Sequence, residues 1–220
     1  MSNHINYREE LAKARNKVKN MPRDGKADTI STYWEVCCGD VLVAEDSIDR
    51  TWEITPLAKE FLDIAHYLAG YDHMLDNLNK AAERMANCIA NHPSLKLHIL
   101  QFRLYVLRRI EAHCGHDLSV AEDVSHLISF YSRNIDRADR GELDAIEQEG
   151  MLRHDPVEWT AAYESNIDQA EQMIAERLGD VPRGMGFCHA YWATKAQVLR
   201  EEFDIEWRSP SQMNPNVLFD

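Results

Sequence analysis

Residues 57–89 read LAKEFLDIAHYLAGYDHMLDNLNKAAERMANCI, and this stretch decides the fold class. Its apolar side chains recur in alternating steps of four and three residues, at Leu57, Phe61, Ile64, Leu68, Tyr71, Leu75, Leu78, Ala82, Met85 and Ile89. This spacing places them on one face of a helix. Thr55 and Pro56 supply a capping hydroxyl and a first-turn proline. We therefore predict one long helix, which Gly70 weakens without ending it.

The same spacing, with capping residues, predicts further helices near residues 7–21, from 93 to 110, from Ser119, from Asp155 to Gly179, and over 186–203. Residues 28–48 fit either a hairpin around Gly39-Asp40 or a helix, and we favour the helix. Residues 139–155 predict a short amphipathic helix that buries Leu143, Ile146 and Met151. These elements predict an all-α fold, a single-domain bundle of six or seven helices over residues 1–203.

Residues 204–220 form a tail of different character. Pro210 and Pro215 exclude a continuous helix, while five apolar side chains make the segment too apolar for a disordered end: Ile205, Trp207, Val217, Leu218 and Phe219. We expect an extended tail that packs on the bundle. Alternatively, its aromatic side chains, Trp207 and Phe219, bind a partner.

The charge is acidic but uneven. The 220 residues hold 24 Lys and Arg against 37 Asp and Glu, a net charge of -13, which disfavours binding to nucleic acid or anionic lipid. Residues 1–26 nevertheless hold seven basic against three acidic residues, or +4. This basic stretch either pairs with the acidic body or contacts another acidic surface. No signal-like start and no apolar run of bilayer length are present, so we expect a cytosolic protein.

One cluster has the residue types of a metal site. His113, Cys114, His116 and Asp117 gather two imidazoles, a thiol and a carboxylate, which suit a divalent or transition metal. The simpler interpretation is a helix end, because Gly115 ends helices and histidines stabilise the last turn. The five cysteines lack the paired spacing of a zinc site and are expected to be reduced and mostly buried. Apart from this cluster, we predict no cofactor.

Pairs of acidic and histidine residues elsewhere are weaker candidates. Asp63 with His66, and Asp123 with His126, have the i, i+3 spacing of di-metal bundles, but their helical phase points away from the apolar stripe. We expect them on solvated faces. Glu60-x-x-Asp63 matches only half of the acidic set that all-α nucleotide pyrophosphohydrolases use to bind magnesium.

A glycine-rich segment precedes the last helix. Arg183, Gly184 and Gly186 lead into Cys188 and His189, and a helix N-terminus can bind an anion or lower the pKa of a thiol. His189 is the candidate base for a Cys188 nucleophile, although adjacent helical residues point about 100° apart. The alternative interpretation is a flexible entry to a packed helix.

The end of the chain carries a resemblance. GFCHAYWATK (186–195), LREEFDIEWRSP (199–210), Asn214-Pro215 and Phe219-Asp220 resemble the C-terminal ends of small proteins in mobile elements and prophages of gut Bacteroidetes. The resemblance covers about a sixth of the chain and implies a mobile-element context. It implies no activity and no site residues.

The sequence therefore favours a cytosolic helical interaction or accessory protein that acts through helical surfaces and its tail. The heptad stretch is long enough for a second copy of the chain to pack on it, which would give a homodimer. The alternative is a metal-dependent hydrolase or oxidase with ligands from the His113–Asp117 cluster.

Overall fold

The computed structural model describes residues 6–179, 181 and 183–219, and these residues are all-α without a strand, so the predicted fold class is confirmed. The helices are α1 (Tyr7–Val18), α2 (Ala27–Asp46), α3 (Ile54–Leu68), α4 (Leu75–Cys88), α5 (Pro93–Cys114), α6 (Ser119–Asp139), α7 (Ala161–Leu178), α8 (Phe187–Phe203) and α9 (Pro210–Met213). Four single turns of 3-10 helix occur at Thr51–Glu53, Asp72–Met74, Leu143–Ala145 and Pro156–Trp159. Within the described ranges, none of the helices combines the length and apolar content that a bilayer crossing requires.

The chain divides into two compact units. Unit 1 comprises residues 1–90 and 95–129, and unit 2 comprises residues 91–94 and 130–220. The sequence pattern predicted one bundle through residue 203 and did not indicate this division. The reason is that the boundary falls inside α6, after Ser129, where the helical spacing continues without a break.

The heptad stretch forms the core of unit 1, but as two helices. Its apolar residues are buried in both α3 and α4, and only Tyr71 is half-exposed. Gly70 N–H donates to the Tyr67 carbonyl and Tyr71 N–H to the Leu68 carbonyl, and these tight bonds end α3. The prediction of one long helix was wrong because the 3-10 turn at Asp72–Met74 preserves the apolar spacing across the break. Since both stripes are buried within unit 1, they are not open to a second copy.

The start of α3 also differs from the prediction. The helix begins at Ile54, so Thr55 lies inside it rather than at its N-cap. The Thr55 hydroxyl is buried and has no hydrogen-bond partner in the part of the chain that the structure describes.

The stretch 28–48 is helical through Asp46 and lies in α2, as favoured, and Gly39 lies inside this helix. A Cβ atom at Gly39 would lie 2.8 Å from Leu11 Cδ1 and 3.4 Å from Leu11 Cα. The glycine therefore permits the close approach of α1 to α2 and forms no turn. Leu11 and Ala14 are the buried side chains of α1.

The basic N-terminal stretch pairs with the acidic body, the first of the two alternatives. Four of its side chains form ion pairs with carboxylates of α2, α3 and the 3-10 turn before α3: Arg8 with Glu53, Arg15 with Asp40 and Glu60, Lys17 with Glu35, and Arg23 with Asp63. Its positive charge is thus largely neutralised within unit 1.

In unit 2, α7 packs on α8 around an apolar cluster: Tyr163, Ile167, Ala170, Ile174, Val198, Leu199, Ile205 and Trp207. Asp155 accepts a hydrogen bond from Val157 N–H and opens the 3-10 turn at Pro156–Trp159. Thr160 then caps α7, whose helix ends at Gly179 as predicted. Asp155 therefore caps the 3-10 turn that precedes α7, and not α7 itself.

Residues 140–155 do not form the predicted amphipathic helix. Gly141, with a φ of 73°, separates α6 from the single turn at Leu143–Ala145, and that turn ends at Ile146, whose backbone is extended. Ile146 is buried as predicted, whereas Met151 is 99% exposed.

Candidate interaction surface and polar clusters

The C-terminal tail is fixed to unit 2 by Trp207 and Arg208. Trp207 is 7% exposed and lies in the apolar cluster, where its Nε1 donates to Glu158 Oε1 at 2.7 Å. Arg208 donates from its backbone nitrogen to Asp155 Oδ2 at 2.5 Å and from its guanidinium to Asp155 Oδ1 at 3.0 Å. The tail is thereby tied to the acidic residues that precede α7.

Asn214 forms a second tie, between the tail and the loop before Asp155. Its Oδ1 accepts from Arg153 N–H and its Nδ2 donates to the Arg153 carbonyl, both at 2.9 Å. The tail is not fully extended here, because Ser209 and Gln212 form a capping box around the single turn of α9. Since Asn214 is buried, these bonds are partly shielded from competing water.

Exposed apolar side chains flank these hydrogen bonds along the chain, on both segments of unit 2. Met151 and Leu152 directly precede Arg153, and Val217 N–H donates to the Asn214 carbonyl. The exposed fractions are 99% for Met151, 39% for Leu152, 43% for Val217 and 97% for Leu218. We call these four residues the tail-end surface.

The two aromatic residues predicted to bind a partner are engaged within unit 2. Trp207 is buried, as described above, and is not presented at a surface. The ring of Phe219 lies edge-on to Trp192 at 5.2 Å, and His189 Nε2 donates to the Phe219 carbonyl at 3.1 Å. Among the large apolar side chains in the described part of the tail, Leu218 is the most exposed, and the sequence identified it only as one of several apolar residues.

The glycine-rich segment leads into α8 as an open turn. Gly186 has a φ of 81° and is the N-cap, and a Cβ at Gly184 or Gly186 would meet no atom within 4 Å. The Arg183 guanidinium lies 5.8 Å from the Phe187 ring centre. His189, the candidate base for Cys188, forms its hydrogen bond with the tail. Its contacts therefore favour packing over nucleophile activation.

The candidate metal cluster lies at the exposed end of α5. His113 Nδ1 donates to the Arg109 carbonyl at 2.8 Å, and Nε2 lies 3.0 Å from Asp72 Oδ2. These two interactions raise the pKa of His113. His116 bonds the Cys114 carbonyl. With Arg109, which also binds Asp72, His113 ties α5 to the turn between α3 and α4.

The described residues contain no group of three or more His, Cys, Asp or Glu side chains arranged to hold a metal ion. Asp63, His66, Asp123 and His126 are exposed, as their helical phase predicted. Among the cysteines, Cys37 is buried and Cys114 exposed, while the other three are half-buried, so fewer are buried than expected. Burial raises the pKa of Cys38 to about 11, which favours its thiol form.

A buried lysine in unit 2 was not recognised from the sequence. Lys195 is 5% exposed, and its Nζ lies 3.0 Å from Glu171 Oε1. The Tyr191 hydroxyl donates to the same carboxylate at 2.6 Å, and the Trp207 ring centre lies 5.1 Å from Nζ. The sequence did indicate that Lys195 is buried, because Lys195 has helical spacing with Tyr191, Val198 and Leu199. The tail covers this cluster through Trp207.

A buried carboxyl in unit 1 was also missed. Asp40 is fully buried on α2, and Arg15 donates to its Oδ1 at 3.1 Å and also binds Glu60. Asp40 Oδ2 has no hydrogen-bond partner within the described ranges. Burial, with the Glu60 carboxylate as the next cause, raises the pKa of Asp40 to about 9. In Glu60-x-x-Asp63, both carboxylates are paired with the chain's own arginines, Arg15 and Arg23.

Comparison of the chain with protein-family models, with curated proteins and with solved structures finds no match in any of the three.

Proposed function

We propose that this chain is a cytosolic helical interaction protein that binds a protein partner through the tail-end surface. The observation that carries the proposal is the exposure of Leu218 and Met151 on segments that the hydrogen bonds between Asn214 and Arg153 join. Exposed apolar side chains mark a binding surface when they form a contiguous patch, and the proposal is that the four residues of the tail-end surface form one. Because the segment is already ordered, a partner would bind it with little further loss of conformational entropy.

Burial of these apolar side chains by a partner would contribute to the free energy of binding. Covering one leucine or methionine side chain contributes about 1.5–3 kcal/mol. Leu218 and Met151 together therefore support about 3–6 kcal/mol, or a factor of 10² to 10⁴ in affinity. Leu152 and Val217 are partly exposed and add to this apolar area.

The net charge of unit 2 indicates which kind of protein surface would bind it. Residues 130–220 hold nine basic and 18 acidic side chains, a net charge of -9. Two copies of this unit would repel each other, so the charge favours a different protein over self-association. The partner we propose presents an apolar groove bordered by Lys and Arg side chains.

Site-specific photocrosslinking tests this proposal. A photoreactive amino acid is placed at position 218, at position 151 and, as a control, at Gln172, an exposed position on α7 of the same unit. We expect positions 218 and 151 to crosslink the same protein in cells and position 172 not to do so. Crosslinks to a second copy of the chain, or equal crosslinking from all three positions, would contradict the proposal.

A further inference from the structure

Unit 1 contains a groove that none of the preceding sites uses. It lies between the first half of α2 and the α3–α4 turn and has a volume of about 430 Å³. Small-molecule sites have volumes of about 300–1,000 Å³. The groove is therefore large enough for a ligand of one or two fused rings.

The walls of the groove are apolar and aromatic. Ile30 and Met74 are buried beneath it, while Trp34 and Tyr71 are half-exposed. Aromatic side chains of this kind offer both apolar area and ring contacts to a planar ligand. The composition favours a flat ring over an aliphatic chain.

One aromatic wall is held in place before any ligand binds. Gly25 has a φ of 75°, and a Cβ atom there would lie 2.8 Å from the Tyr71 hydroxyl oxygen. Only glycine permits this approach without strain. The Tyr67 ring packs edge-on to Tyr71 at 5.6 Å, and the Tyr67 hydroxyl accepts from Gly25 N–H at 3.3 Å. Tyr71 is therefore fixed by its neighbours.

The polar side chains that line the groove can form hydrogen bonds. Ser31, His73 and Asn77 contribute a hydroxyl, an imidazole and an amide. Among the described residues that line the groove, there is no Lys, Arg, Asp or Glu. A phosphate or carboxylate would have no Lys or Arg side chain in the lining to bind it, so this lining favours an uncharged ligand.

We propose that this groove binds an uncharged, planar heteroaromatic ring, with ring contacts from Trp34 and Tyr71 and hydrogen bonds from the polar side chains of the lining. The inference concerns unit 1 and is independent of the tail-end surface of unit 2. Its class includes free purine bases and indoles, and it excludes nucleotides.

Titration of the full-length protein with adenine and with indole, followed by two-dimensional NMR, tests the proposal. The indole N–H signal of Trp34 is assigned by its loss in Trp34→Phe. We expect saturable shifts of this signal with a dissociation constant below about 5 mM for at least one probe. No shift with either probe would overturn the proposal, as would equal binding of adenosine monophosphate or of cyclohexanol.

Two variants locate the binding. Trp34→Ala is expected to weaken binding about tenfold through the lost ring contact, and Asn77→Asp to weaken binding of adenine by removing the amide N–H that can donate to a ring nitrogen. Trp52→Phe, outside the groove lining, is the matched control and should leave affinity unchanged. Because Asn77 is exposed, Asn77→Asp keeps the test informative if Trp34→Ala fails to fold. Unchanged affinity in Asn77→Asp and in a folded Trp34→Ala would contradict the assignment.

Discussion

The buried carboxyl of Asp40 gives a quantitative prediction about stability. Burial raises its pKa in the folded chain to about 9, from an ordinary value of 3.8 in the unfolded chain. Between these two values the folded state keeps a proton that the unfolded state has lost. Stability from this group is therefore fully present below pH 3.8 and falls as the pH rises towards 9, by about 1.4 kcal/mol for each pH unit.

At pH 7 the loss amounts to about 4 kcal/mol, because about three pH units separate pH 7 from the unfolded pKa. Asp40→Asn removes the titration while keeping the shape of the side chain. The amide oxygen can still accept from Arg15, and the amide nitrogen supplies a donor in place of the acidic proton. We expect Asp40→Asn to increase the free energy of unfolding at neutral pH.

Urea denaturation of the wild type and of Asp40→Asn at pH 5 and pH 8 measures this effect. The difference in free energy of unfolding between the two proteins should rise by about 3–4 kcal/mol over that interval, in favour of the variant. Asp63→Asn is the matched control. Asp63 is exposed and paired with Arg23, and its replacement should cost less than about 1 kcal/mol. A difference between wild type and Asp40→Asn that is the same at both pH values would refute the reasoning.

Three further predictions concern packing and ion pairs. Gly39→Ala should destabilise the protein by about 1–2 kcal/mol through its contact with Leu11, and by less in a Leu11→Ala background, where the contact with Cδ1 is lost but the contact with Cβ at 3.2 Å remains; equal destabilisation in both backgrounds by thermal denaturation would contradict this. Lys195→Met should lower the free energy of unfolding by about 3–5 kcal/mol, because it leaves Glu171 buried without its cation, and the double variant with Glu171→Leu should recover most of that loss. If urea denaturation shows that the costs of the two substitutions simply add, the two residues do not act as a buried pair. Asp72→Asn should lower the pKa of His113 measured by NMR, and an unchanged titration would show that Asp72 does not act on it.

Helical periodicity predicted the fold class and most helices because burial of an apolar face is a local property of spacing. It predicted α2, where the helical spacing of Ile30, Tyr33 and Cys37 competed with strand alternation. It failed at Gly70, since a 3-10 turn has nearly the same spacing as a helix and leaves the pattern intact. The division into two units left no mark on the spacing of α6.

The polar clusters could be predicted only in part. Asp40 and Lys195 each have helical spacing with buried apolar residues, so their burial was readable from the sequence. Their partners, Arg15 and Glu171, lie 25 and 24 residues away and become neighbours only through tertiary packing. The tail could be recognised as apolar from its sequence. Which of its side chains is buried (Trp207) and which is exposed (Leu218) depends on the contacts that the tail makes within unit 2.

The affinity of the crosslinked partner for matched variants tests the central proposal most directly. Leu218→Glu and Gln172→Glu each add one negative charge at an exposed position of unit 2, but only the first removes apolar area from the tail-end surface. By isothermal titration calorimetry, Leu218→Glu is expected to weaken binding about 10–100-fold and Gln172→Glu to leave it nearly unchanged, with equal free energies of unfolding. Equal affinities for the two variants would contradict the proposal that the tail-end surface binds the partner.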